Sequence, residues 1–367
     1  MDPFQLYLTT NYTHCSQDDS FFSSPEYLTI GVHLVTCFSI PFSIYGAYCI
    51  LYITPKQMSA AKWVLLNVHL WTIILDIVFN VLSIPMMFFP SASGLMLGWG
   101  PVIGIPSKLL LYLIQALVSV WGAAAIALFE NRQNAIQTRW KIRKTWVRIL
   151  QNVMNYLVAS VTVIPPYLEE FDVVALKLKI LQMIPCPTIT FFNTKVFIVT
   201  GNPSFVTLLM AIQSLILCPQ AGFLVAHTWY HLVFVHSSRV SPATRKLQLK
   251  FLLGSLVQCS IPAAVFMNPI FYIWFSVNTG FFSQEINNHL IFTVSFHGLL
   301  TTLCMIGVHK TYRNHFVKMI TFGKVELDKV VSVKVSSVSH GNWQGIGHLV
   351  GRTIEIDRKQ DATALLS

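Results

Sequence analysis

Charge is what this sequence has least of. Asp, Glu, Lys and Arg together make up 11% of 367 residues, against about 25% in an ordinary soluble domain. That is too little to cover the surface of a water-soluble globule, so this class is excluded. Seven cysteines are too few and too scattered for a disulfide-dense small domain. No repeat relates the first apolar segments to the last, as the inverted-repeat transporters require. No filter sequence or ring of charges marks a channel. His227 and His231 share one face of a helix, but Thr-Trp-Tyr separates them and the Glu of a zincin site is missing. Neither a catalytic set nor a metal or cofactor site is expected, and the chain is read as not an enzyme.

What remains is apolar: 54% of the residues are hydrophobic, with 26 Phe and 9 Trp. A bilayer core of about 30 Å takes roughly 20 apolar residues as a helix, and helices satisfy their own backbone polar groups there. The apolar runs predict an all-α fold, a seven-transmembrane helix bundle with spans at about 27–53, 63–89, 107–129, 149–168, 204–235, 251–275 and 288–309. Residues 122–125 are small and predict close packing in the third span. Pro219 predicts a kink in the fifth. The uncharged stretch 180–194 is short and holds Pro185 and Pro187, so a loop or re-entrant segment is expected there. With residues 1–26 outside, 21 of the 25 basic residues fall on the cytoplasmic side; only Lys108, Lys177, Lys179 and Lys195 lie outside. The positive-inside rule therefore places the N-terminus outside and the C-terminus in the cytoplasm. The net charge of +10 is thus an asymmetry that orients the chain in a lipid bilayer, with no nucleic-acid partner implied. Residues 1–26 lack a basic segment followed by an apolar one, so the first span is expected to act as its own signal anchor. Asn11 heads the sequon Asn11-Tyr12-Thr13 and is the expected glycosylation site.

Polar residues inside these spans are the candidates for function. Asp76 falls near the middle of the second span, where a carboxyl group is costly and is expected to face the bundle interior. Asn80 lies one turn further on the same face. Function and hydrogen-bonded packing are both open for this pair. Asn67 and His69 are expected to make packing hydrogen bonds. At the cytoplasmic end of the third span, Glu130 and Arg132 are expected to pair as a signalling switch, the alternative being an ordinary interfacial charge cluster.

Several motifs resemble a known family. They are the run Pro41-Phe42-Ser43-Ile44-Tyr45-Gly46-Ala47-Tyr48-Cys49-Ile50-Leu51, then Thr54-Pro55-Lys56 and Met58; Leu66-Asn67-Val68-His69 with Trp71 and Asp76; Phe129-Glu130-Asn131-Arg132; and Ile184-Pro185-Cys186. From about residue 15 to 322 the chain is similar to the nematode serpentine receptor class H (Srh) chemoreceptors. The resemblance implies a chemosensory receptor of the G-protein-coupled type, in the plasma membrane of sensory neurons, with a heterotrimeric G protein as partner. The chain departs from the rhodopsin-like pattern, because Asn131 intervenes between Glu130 and Arg132. Asn268-Pro269-Ile270-Phe271-Tyr272 falls in the sixth span rather than the seventh, and reads as a kink. No Cys lies near Ser107 to form the usual outer disulfide. Cys15 and Cys186 are the two cysteines on the outer side, and they are expected to pair, two free thiols being the alternative.

A small-molecule ligand is expected between the helices near the outer half. Tyr112, Gln115, Gln213, Asn268, Tyr272, Phe292 and His297 are the pocket candidates by depth. The scarcity of charge there points to an uncharged ligand. Residues 130–148 form a basic cytoplasmic loop, with Arg132, Arg139, Lys141, Arg143, Lys144 and Arg148. Residues 310–322 predict an amphipathic juxtamembrane helix, and 323–367 a disordered cytoplasmic tail with Ser332, Ser336, Ser337 and Ser339 as phosphorylation candidates. The functional reading is a receptor; a ligand-gated channel or transporter of similar helix count is the alternative.

Overall fold

The computed structural model describes residues 3–15, 20–55, 59–136, 144–184, 186–235 and 241–322. Lys56, Met58, Arg139, Lys141, Arg143, Pro185 and the tail 323–367 with its serines lie outside the described residues. Contacts divide the chain into residues 1–312, which hold the bundle, and 313–367. Of the latter, the described part is chiefly the remainder of a helix, Lys310–Ile320, that begins in the former.

Each long helix begins where its sequence supplies a cap. Ser24 Oγ accepts the Tyr27 N–H and Pro25 occupies the first turn of α2 (Pro25–Tyr48). Its inward stripe is Leu28, Val32, Val35, Ser39, Ser43 and Gly46, all buried. Ile30, Leu34, Phe38 and Ile44 lie on the other faces and are exposed. A helix apolar on all sides, with only one stripe covered by protein, fits a lipid surround. α1 (Pro3–Thr10) precedes it. α3 (Ser59–Asp76) runs on through a wider-wound stretch, Ile77–Ser83. α4 (Ser107–Ala135) is the axis of the bundle, packed against α3, α5 (Thr145–Val161), α7 (Pro203–Val233) and α8 (Pro242–Thr279). Ala123, Ala124 and Ala125 are buried in that packing. α9 (Gln284–Ser295) and α10 (His297–Val308) form the last span, α10 packing on α8, α2 and α3 to close the ring. α6 (Val173–Met183) lies between α5 and α7. The Lys310–Ile320 helix is α11.

Six of these helices are long and apolar enough to cross a membrane, and α5, at 17 residues, is a seventh apolar one. The fold is an all-α seven-helix membrane bundle with one small addition. β1 (Pro85–Met87), β2 (Ser93–Met96) and β3 (Phe197–Ile198) make a three-stranded antiparallel sheet in the order β1-β2-β3.

Several boundaries differ from those expected. The third helix runs on to Ala135, and the fourth is Thr145–Val161 rather than 149–168. The second helix ends at Ser83 and not at Phe89, because Ile84 turns into the left-handed region (φ 41°) and Pro85 cannot continue a helix. The sixth begins at Pro242, well before residue 251, because Ser241 caps it and its basic first turns escape a search for uncharged runs. The seventh is interrupted at Phe296. The region 180–194 holds the end of α6 and a short 3-10 turn, Ile189–Phe192.

At the N-terminal end, α1 and the 189–192 turn stack their aromatic rings. Phe4 lies 5.0 Å from Phe192, and Tyr12 lies 4.8 Å from it, centroid to centroid. The Tyr12 hydroxyl donates to the Pro187 carbonyl (2.8 Å). Cys15 and Cys186 are joined by a disulfide there, Cα atoms 5.5 Å apart. Asn11 is exposed beside this cap.

Candidate functional site

Three sites lie along the bundle. The first is polar and sits where α2, α3 and the last span meet. The Ser39 hydroxyl donates to Asp76 Oδ2 (2.5 Å), and Asn80 Nδ2 donates to Asp76 Oδ1 (3.3 Å) and to the Ser295 carbonyl (3.1 Å). His297 Nε2 stands 3.3 Å from Asp76 Oδ1. Its Nδ1 faces the Val294 carbonyl at 2.9 Å. A carbonyl only accepts, so Nδ1 bears the proton. A hydrogen bond between Nε2 and Asp76 then needs a second proton, carried by either partner. Gly298 leaves room for the carboxylate: a Cβ there would overlap it. One carboxyl group therefore ties α2 and α3 to the break at Phe296. Next to it, His69 Nε2 meets the Ser43 carbonyl (2.9 Å), and Asn67 donates to the Tyr156 hydroxyl (2.7 Å), tying α3 to its neighbours.

The second site is a cavity of about 290 Å³ at the end of the bundle that carries the disulfide. α4, α7, α8, α9 and the segment 85–92 wall it. Among the described residues lining it, none is Asp, Glu, Lys, Arg or His. Of the seven pocket candidates, Gln115 and Gln213 line it and the other five do not. Tyr112 donates to the Ser160 carbonyl (3.3 Å) between α4 and α5. Phe292 packs on Tyr27 and faces Gly31, and Asn268 is exposed on the outside of α8. Tyr272 sits elsewhere on α8. His297 lies behind the wall: Phe79 and Phe266 line the cavity, and their rings stand 6.4 and 5.2 Å from the His297 ring. The cavity and the polar cluster are thus separated by one layer of aromatic side chains.

The third site is at the opposite end of α4. Glu130 is buried and pairs with Arg148 of α5, Nε to Oε1 at 2.6 Å, rather than with Arg132. Asn134 also donates to Oε1 (3.1 Å), and Asn152 donates to Oε2 (2.9 Å). The expected Glu130–Arg132 pair is corrected on simple geometry, since residues two apart on a helix do not face each other. Arg132 turns towards α8, its guanidinium 5.4 Å from the Phe251 ring. Its Nε and Nη2 are buried with no hydrogen-bond partner among the described residues. Gln133 reaches His227 on α7 (Nε2 to Nδ1, 3.1 Å), with His231 stacked 4.6 Å beyond, so this pair packs helices together. Arg245 caps α7 through the Leu232 and Val233 carbonyls.

Sequence reasoning missed Ser39, the pairing role of Arg148, and Ser119 and Tyr167, whose hydroxyls donate to Gln213 Oε1 and Gln115 Oε1 (2.8 Å each). Ser39 was signalled only by its place on the inward stripe of α2. Tyr167 and Arg148 are supplied across loops, and no local pattern marks them.

A seven-helix apolar bundle, with a cavity that no charged side chain lines among the described residues, defines an integral membrane protein. The comparison with known families makes this particular. The model of the "Serpentine type 7TM GPCR chemoreceptor Srh" family matches residues 23–322, and the chain belongs to that family. It is also 28% identical over 336 residues to serpentine receptor class H-72 of Caenorhabditis elegans, covering 90% of this chain and 96% of that relative.

Proposed function

We propose that the protein is a chemosensory receptor that binds a small molecule in the 290 Å³ cavity and signals to a heterotrimeric G protein at the Arg132 end. It works in the plasma membrane of sensory neurons, N-terminus outside. The observation that carries this reading is the placement of the cavity, the Asp76 cluster and Arg132 in sequence along the same helices. A ligand shifts a receptor only by binding one helix packing better than another. A molecule in the cavity presses on Phe79 and Phe266, and these rings lie against His297, which helps to hold α9 and α10 to Asp76. At the far end, the Arg132 guanidinium has donors to offer a carbonyl or carboxylate of a partner.

The test is nucleotide exchange on a heterotrimeric G protein by reconstituted full-length receptor, with and without an agonist found by reporter-cell screening. Agonist-dependent exchange that is lost in Arg132→Ala is the expected result. Agonist-dependent current in the absence of any G protein, without exchange, favours the channel or transporter reading and overturns this one.

A further inference from the structure

The two glutamines on the cavity wall are not equivalent. Both ends of the Gln213 amide are engaged by the fold: its Oε1 accepts from the Ser119 hydroxyl (2.8 Å), and its Nε2 donates to the Ala159 carbonyl (3.0 Å). Because Ala159 offers only an acceptor, the amide orientation is fixed, and Gln213 serves as a clamp between α4, α5 and α7. Gln115 is half used. Its Oε1 accepts from the Tyr167 hydroxyl (2.8 Å), which leaves its Nε2 without a hydrogen-bond partner among the described residues. Ser214, also on the wall, turns its hydroxyl proton to the Met210 carbonyl on its own helix. Trp121, also on the wall, has an Nε1–H without a partner among the described residues, but that atom is buried in the packing, so the Gln115 amide is the N–H donor left to the cavity. An unmatched donor in such a place is costly until something accepts from it.

We propose that the cavity takes a neutral, mostly aliphatic molecule carrying one hydrogen-bond acceptor, such as a ketone, aldehyde or ester carbonyl, and that Gln115 Nε2 donates to that acceptor. This inference rests on the reading of the cavity as the ligand site. The volume of about 290 Å³ lies at the lower edge of the roughly 300–1,000 Å³ of ligand pockets, which suits a small molecule. Ionised ligands are disfavoured because no charged side chain among the described lining residues pairs with them. Aliphatic chains find Val118, Leu111, Met210 and Ile270 on the walls.

The probe is tritiated heptyl methyl ketone, and the readout is its saturable binding to full-length protein in lipid nanodiscs, above that of empty discs. Four results are expected. The wild type binds saturably. Tyr167→Phe alone retains the affinity. Gln115→Leu combined with Tyr167→Phe, which strands no hydroxyl, binds about three- to tenfold more weakly, the loss of one net hydrogen bond. Nonane competes more weakly than unlabelled ketone by a similar factor. Gly122→Phe serves to separate the two readings. A Cβ at Gly122 meets only Leu217, at 3.6 Å, so a larger side chain is accommodated by filling the cavity. Equal affinity in the wild type and the double variant, or equal competition by nonane, with binding still abolished by Gly122→Phe, overturns the acceptor assignment and leaves the cavity reading standing. Binding that survives Gly122→Phe, or no saturable binding to the wild type, overturns the cavity reading and this inference with it.

Discussion

Asp76 offers the sharpest test of how the bundle is held together. A carboxylate near the centre of a membrane helix costs about 2.5–3.5 kcal/mol on insertion scales. Two hydrogen bonds, from Ser39 and Asn80, repay it here, and His297 Nε2 stands 3.3 Å away without bonding. Interhelical hydrogen bonds in membranes contribute on average about 0.6 kcal/mol and at most about 1.7. Two such bonds return about 1–3 kcal/mol, so charge cost and bonding nearly cancel. Asp76→Asn keeps an acceptor for Ser39 and removes the charge, so it should change stability by less than about 1 kcal/mol. Asp76→Ala removes the acceptors of Ser39 and Asn80 altogether, so it should cost about 2–4 kcal/mol. The assay is thermal unfolding read with a thiol-reactive dye, since Cys49 and Cys259 are buried and free and become reactive on unfolding. A loss of 1 kcal/mol corresponds to a midpoint shift on the order of 2–4 °C.

A double-mutant cycle isolates the strongest of these bonds. Ser39→Ala combined with Asp76→Ala should show a coupling of about 0.6–1.7 kcal/mol, because both single variants remove the same contact. If the two losses simply add to within about 0.3 kcal/mol, the Ser39–Asp76 bond does not contribute. If Asp76→Asn costs as much as Asp76→Ala, it is the charge that matters, and the bonding argument is wrong.

Other outcomes follow from the same structure. Arg148→Ala leaves the buried Glu130 carboxylate without its cation, and should destabilise by about 1–3 kcal/mol in the dye assay; a loss below that of Arg132→Ala contradicts the pairing. Arg132→Ala, by contrast, removes a guanidinium whose Nε and Nη2 have no hydrogen-bond partner among the described residues, and should cost less than about 1 kcal/mol of stability while abolishing G-protein activation. Cys15→Ser or Cys186→Ser should cost about 2–4 kcal/mol, and reductant should lower the wild-type midpoint to match; no response to reductant refutes the bond's role. Gly46→Ala places a Cβ 2.9 Å from His69 and from Thr302 where α2, α3 and α10 meet, and should cost about 1–3 kcal/mol; an unchanged midpoint shows that α2 moves apart freely.

Much of this architecture was legible because lipid and water sort residues strongly. Charge-free runs marked the seven spans, and Asp76 was conspicuous as a carboxyl group inside one of them. The runs failed where protein, not lipid, buries apolar residues. Ile84, Met86, Met87 and Phe88 are buried in the sheet region under the N-terminal cap, so hydropathy extended the second helix through a strand. α6 was missed for the related reason that Leu176, Ile180 and Leu181 bury only one face of a short helix. The helix break at Phe296 carries no Pro or Gly at the break itself, and its cause lies in partners from other elements: Asn80 takes the Ser295 carbonyl and Gly298 makes room for Asp76.

Partner choice was the least legible property, and the glutamines show why. Both Gln115 and Gln213 stood out as polar residues in apolar spans, and depth alone made them equal candidates. What separates them is a serine one turn along α4, a carbonyl on α5 and a tyrosine beyond α5. Those groups engage both ends of one amide and only the oxygen end of the other. A similar contrast holds at the far end of α4, where Arg148 pairs with Glu130 while Arg132 Nε and Nη2 have no hydrogen-bond partner among the described residues. In a bundle so poor in charge, each polar group has few partners to choose from. A group left open by its neighbours is therefore where an incoming molecule finds a bond to make, and Gln115 and Arg132 mark such places near the two ends of one helix.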